Sequence, residues 1–166
     1  MSSAEELKNQ GNLLFSSGNF EEAIDVFTLA IAADAENAVL YSNRSAAYAS
    51  LKQWPEALQD AQKTTELRPE WGKGWSRLGA ALQGRGDYKE AHEAFLKGLE
   101  VDPSNAQLQK GLEATNAAMN APPAREFPNP FGGADVMARL MADPRTASLL
   151  KDPSFATKIA DLRANP

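Results

Sequence analysis

A pattern that returns every thirty-four residues, three times over, restricts this chain more than any other feature. With Ala4, Ala38 and Gly72 taken as first residues, the fourth position reads Leu7, Tyr41 and Trp75. The eighth is small each time, as Gly11, Ser45 and Gly79. The seventeenth is aromatic, as Phe20, Trp54 and Tyr88, and the twentieth is Ala23, Ala57 and Ala91. The thirty-second is Ala35, Pro69 and Pro103. A fixed period of this length specifies an array of like supersecondary units in place of one globular core. Such arrays stack into solenoids with a concave face, which suits binding better than catalysis.

Each copy reads as two helices. Leu7, Leu14 and Phe15 mark the apolar stripe of a helix A, and Ser17-Gly18-Asn19 breaks it. Ala23, Ile24, Phe27, Ala30 and Ile31 then recur at helical spacing and give an amphipathic helix B. Small residues at the eighth, twentieth and twenty-seventh positions let two antiparallel helices approach closely. The aromatic at the seventeenth position is expected to start helix B and fill the gap beside helix A. Pro69 and Pro103 end helix B. Gly84-Arg85-Gly86 reads as the turn between the helices of the third copy, without the Lys-Ser/Thr of a phosphate loop. Residues 106–119 continue as a capping helix, with Leu108 and Leu112 on one face.

This pattern resembles the tetratricopeptide repeat, with copies over about 4–37, 38–71 and 72–105 inside a domain of residues 1–120. Four prolines then fall within the linker 121–130. The remaining 131–166 carry Asp143-Pro144, Asp152-Pro153 and Asn165-Pro166, and Asp followed by Pro is a strong helix start. That unit resembles the DP, or STI1, module. The order of repeats, Pro-rich linker and DP module is similar to the N-terminal part of the heat-shock chaperone organising (Hop/STI) family. The expected fold is all-α: a three-repeat superhelix with a cap, followed by a small helical module. Family members carry further domains downstream, so the resemblance implies a fragment ending at a domain edge.

In a tetratricopeptide array the A helices line the concave groove, and their polar residues are therefore informative. Lys8 and Asn12 stand four apart on the first A helix and share a face. Asn43 holds the sixth position of the second copy; Lys73 and Arg77 hold the second and sixth of the third. Three cations and two amides thus converge from successive A helices. Asn is a poor helix-interior residue. Lys offers a point charge, Arg a planar fork and Asn an NH₂ donor. Together they suit two carboxylates held at once, as at a C-terminal aspartate.

The Hop/STI resemblance implies the same residues, because its two-carboxylate clamp pattern is matched at Lys8, Asn12, Asn43, Lys73 and Arg77. The ligand it implies is the Glu-Glu-Val-Asp tail of a heat-shock chaperone. Likeness to the family's first domain favours the 70-kDa class. The alternatives are the 90-kDa tail, or service as the targeting module of a larger enzyme. Phe15, Ala46 and Ala49 are candidates for an apolar pocket beside the clamp, with packing between repeats as the competing explanation. In the DP unit, Met137, Leu140, Met141, Leu150 and Phe155 are candidates for a client-binding groove, or equally for the unit's own core. The resemblance implies client handling there.

The other signals point away from further chemistry. Net charge is −5, and the acidic excess lies within 1–121, which disfavours nucleic acid even beside the aromatic-basic stretch from Trp71 to Arg77. There is no cysteine, and His92 is the single histidine, so no metal set is expected. No nucleophile–base pair with family spacing is present, so no catalysis and no cofactor are expected. The first residues lack a secretory pattern. No apolar run nears the ~18 residues of a membrane span. The expectation is a cytoplasmic monomer that binds neither nucleic acid nor membrane.

Overall fold

The computed structural model describes residues 3–121, 142–149, 152–154 and 157–158. The chain divides into two compact units, Met1–Ala121 and Pro122–Pro166. Every element among the described residues is helical. In the first unit these are α1 (Ala4–Ser16), α2 (Phe20–Ala33), α3 (Ala38–Ser50), α4 (Trp54–Leu67), α5 (Gly72–Arg85), α6 (Tyr88–Val101) and α7 (Ala106–Asn120). Successive helices pack as pairs, and α1, α3, α5 and α7 also touch in sequence. The A helices therefore line the inner side of the array, and the B helices stand behind them.

The small eighth position is explained by the ring opposite it. A Cβ on Gly11 would lie 2.5 Å from Phe27 Cε1, and one on Gly79 would lie 2.5 Å from Phe95 Cε1. Both rings are almost wholly buried. In the second repeat the ring is replaced by Ala61, and the eighth position becomes Ser45, whose hydroxyl donates to the Ala57 carbonyl at 2.8 Å. Glycine is needed only where the phenylalanine is present.

The corners between repeats use one device with changing chemistry. The side chain at the fourth position donates to the carbonyl at the thirty-second position of the preceding repeat. Tyr41 Oη reaches the Ala35 oxygen at 3.1 Å, and Trp75 Nε1 reaches that of Pro69 at 2.7 Å. Gln109 on the capping helix makes the same bond to Pro103 at 2.9 Å. Asn37 and Asn105 cap α3 and α7 and are held by Asp34 and Asp102 at 2.9 and 2.8 Å. The middle corner replaces Asp and Asn by Arg68 and Trp71, and a cation–π contact of 4.9 Å substitutes for the hydrogen bond.

The turns within repeats also coincide. Gly18, Lys52 and Gly86 share one repeat position and all take positive φ, at 81°, 58° and 95°. Lys52 is the position where a side chain accepts the left-handed region.

Two details of the sequence reading are corrected here. Gly84 lies inside α5 and not in the turn, which begins at Gly86. The Trp54 ring packs against Gly84, on the A helix of the following repeat. Phe20, at the same repeat position, meets Phe15 on its own helix A, edge-on with ring centres 5.3 Å apart, whereas at Trp54 the missing side chain of Gly84 makes room for the indole.

In the second unit α8 (Pro144–Leu149) follows Asp143, whose carboxylate accepts the Arg145 backbone N–H at 2.9 Å. Asp152 does the same for Ser154 at 2.8 Å. Both Asp-Pro pairs thus act as helix starts. Residues 122–130 of the linker and the proposed groove residues Met137, Leu140, Met141, Leu150 and Phe155 lie outside the described residues.

Candidate functional site

Helix spacing and solenoid stacking together place Asn12 of α1, Asn43 of α3, and Lys73 and Arg77 of α5 around one pocket of ≈ 210 Å³. Phe27 of α2 also lines it, with Phe15, Ser16 and Ala46. Of the residues the sequence singles out, Phe15 and Ala46 reach the pocket. Ala49 packs instead against the core around Ala57 and Leu82. Lys8 does not line the pocket; its Nζ pairs with Glu5 at 2.7 Å. Glu5 is well exposed, and such surface pairs contribute only about 0–1 kcal/mol, so the amine is readily redirected. Sequence reasoning missed Ser16 and Phe27, although Ser16 follows Asn12 by one helical turn and its hydroxyl bonds the Asn12 carbonyl at 2.9 Å.

The pocket's polar groups are arranged as donors. Asn43 Nδ2 donates to Asn12 Oδ1 at 2.9 Å. That bond occupies the one acceptor oxygen of Asn12 with a neighbour and leaves its own NH₂ as a donor. Among the described residues neither Lys73 nor Arg77 has an acidic partner. Arg77 Nε is buried with no hydrogen-bond partner. Burial and the Arg77 charge hold the Lys73 amine below its ordinary value, and burial lowers Arg77 as well. The Lys73 amine instead stands 5.8 Å from the Trp71 ring centre, which favours a cation without neutralising it. Two partly desolvated cations and two amides, with one buried guanidinium nitrogen unpartnered, make a pocket whose chemistry suits an anion.

A contrasting site lies elsewhere on the second repeat. Arg44 forks onto Asp60 at 2.7 and 2.8 Å, donates to Thr28 Oγ1 at 2.9 Å, and stands 5.9 Å from both the Tyr41 and Tyr48 rings. Its cation is already satisfied, and the Asp60 hydrogen bond raises its pKa. Arg77 differs from Arg44 in that its buried Nε has no hydrogen-bond partner. Among the described residues no cluster of His, Asp and Glu could hold a metal, and no helix is long and apolar enough to cross a membrane.

Comparison with known proteins agrees with this architecture. Tetratricopeptide repeat models match residues 8–70 and 72–105, and the STI1/HOP DP domain model matches 133–166. The chain is 49% identical to the heat shock protein sti1 homolog of Schizosaccharomyces pombe and 46% identical to the Hsp70-Hsp90 organizing protein of Triticum aestivum. Each alignment covers 98% of this chain and 29% of the relative, so the chain spans less than a third of their length. Among solved structures, it resembles the first tetratricopeptide domain of Spaghetti (RPAP3) bound to the HSP90 peptide SRMEEVD, with TM-score 0.68 and 34% identity over 72% of this chain and 94% of that one. It also resembles the second such domain of human RPAP3 in complex with the HSP70 peptide SGPTIEEVD, with TM-score 0.66 and 34% identity over 68% and 94%.

Proposed function

Because the chain belongs to the STI1/HOP family, with tetratricopeptide repeats followed by a DP domain, we propose that it is a co-chaperone adaptor whose groove docks the acidic C-terminal tail of a heat-shock chaperone. The observation that carries this reading is Arg77: a buried Nε without a partner, beside an unpaired Lys73, in a pocket that already holds two amides. A terminal aspartate brings its main-chain and side-chain carboxylates there together. Arg77 and Lys73 take the charges, Asn12 and Asn43 donate without adding more, and Lys8 leaves Glu5 to complete the set. Phe15, Phe27 and Ala46 offer apolar contact to the valine before it.

The tail of the 70-kDa class is the preferred ligand, and the 90-kDa tail, which shares the last four residues in the peptides above, is the second reading. The DP module assists with clients in this scheme, and the adaptor works in the cytoplasm without catalysis of its own.

A tail peptide is expected to bind at micromolar order, about −8 kcal/mol, since an unstructured ligand must be ordered on docking. Amidating its C-terminus removes one carboxylate and leaves buried donors unpaired, and calorimetry should show at least about a tenfold loss. Equal affinity of acid and amide peptides would eliminate the clamp.

The pH dependence follows from Lys73. Its pKa is depressed in the free protein, and a bound carboxylate favours the charged amine and raises it. Affinity should therefore fall at alkaline pH, as the free-state amine loses its proton. It should fall again in acid, as the ligand carboxylates protonate near ~3–4. Titration of the Lys73 side chain by NMR, with and without peptide, checks the sign; a pKa that drops on binding contradicts the reading.

A further inference from the structure

The three cations assigned to the clamp are not equally free. Among the described residues Lys73 and Arg77 have no acidic partner, whereas Lys8 Nζ lies 2.7 Å from Glu5 Oε2. The Lys8 side chain is 23% exposed and that of Glu5 68%, so the carboxylate can leave for water while the amine stays in place. The two stand three apart on α1 and share a face. Repeat position shows which face that is. Glu5 holds the second position of its repeat, the place of Lys73 in the third, and Lys73 lines the pocket. Lys8 lies one helical turn before Asn12, which lines it too. The first A helix thus presents a carboxylate where the third presents a cation.

The neighbouring acid has a different task. Glu6 closes the capping box of α1: the Ser3 backbone N–H donates to Glu6 Oε2 at 2.9 Å, and the Glu6 N–H donates to Ser3 Oγ at 3.2 Å. Glu5 and Glu6 bring the same charge to the same turn, where both suit the helix dipole. The contact to Lys8 is made by Glu5.

Resting on the clamp reading above, we propose that Glu5 is a positioning residue that acts through Lys8: a carboxylate of the chain itself, which occupies the amine until a ligand carboxylate displaces it. Docking then exchanges one ion pair for another at Lys8. Lys73 and Arg77 surrender no acid when the ligand arrives, and they carry more of the binding. Glu5 thereby holds the groove below the affinity that its three cations would reach together.

The test is calorimetric titration of the peptide SGPTIEEVD into the whole chain at low salt, and into Glu5→Gln, Glu6→Gln, Lys8→Ala and the Glu5→Gln/Lys8→Ala double variant. Glu5→Gln should tighten binding by about two- to fivefold, the range of an exposed ion pair, and the gain should shrink as salt rises. Glu6→Gln removes the same charge from the same turn, and glutamine still closes the capping box. Its smaller gain measures the general field of an acid near the ligand. In the Lys8→Ala background, Glu5→Gln should gain no more than that. In the free chain the Lys8 side-chain NMR shifts should move on Glu5→Gln and stay in place on Glu6→Gln. Equal gains from the two glutamate variants, a gain that persists in full without Lys8, or no gain at all overturns the assignment. The clamp is judged apart, by amidation of the peptide: it stands if the amide binds more weakly, and both readings fall if acid and amide bind alike.

Discussion

Arg77→Ala is expected to weaken binding of an acidic tail peptide by about 2–4 kcal/mol, the range for truncating one partner of a desolvated charge pair. The guanidinium has no competing acid to leave behind, so the whole of its interaction with the ligand is at stake. Its burial and the neighbouring Lys73 charge make it a burden on the free protein. Removing it should therefore leave the thermal midpoint unchanged or higher. Arg77→Lys should recover only part of the affinity, since a point charge cannot reproduce the planar fork. Calorimetry alongside thermal unfolding separates the possibilities. A variant that loses stability in parallel with affinity would show that Arg77 holds the fold and does not serve the ligand.

The second large effect belongs to stability. Asp60→Ala should destabilise the array by about 3–5 kcal/mol, because it strands a partly buried guanidinium that two rings and a threonine cannot neutralise. Asp60 is 4% exposed, and Arg44 also donates to Thr28 on the preceding B helix, so the hydrogen bond to Thr28 ties this ion pair to the adjacent repeat. Asp60→Asn keeps an acceptor oxygen and should fall between the two. Replacing both members with apolar residues, as in Arg44→Met with Asp60→Leu, should recover much of the loss, since the pair's net contribution is far smaller than the cost of breaking it. Urea unfolding of the four proteins measures this. A double variant no more stable than Asp60→Ala would contradict the stranded-charge account.

Much of this molecule is legible in one dimension. The period, the two helices of each repeat, the helix-stopping prolines and the Asp-Pro starts are local properties, written in spacing and in backbone preference. So is the phase of Asn12, Asn43, Lys73 and Arg77, because residues that recur at related repeat positions on A helices fall on the same side of the array. What a side chain does once it is there is less accessible. Lys8 fits the pattern as well as the others, yet its amine lies with Glu5, a choice between two local partners that spacing leaves open. Ala49 is one turn from Ala46 but packs on the core.

The periodic sequence by itself determined an all-α array with a cationic groove, since helix formation and face assignment depend on residues three and four apart. Only the tertiary structure decided that Asn43 bonds Asn12, that Trp54 covers Gly84 in the next repeat, that glycine faces Phe27 and Phe95 but serine serves where the ring is absent, and that Arg44 is satisfied while Arg77 is not. These depend on how far one helix rises and turns before it meets the next. That offset is set by the packing of whole faces, and no single residue's position in the repeat contains it.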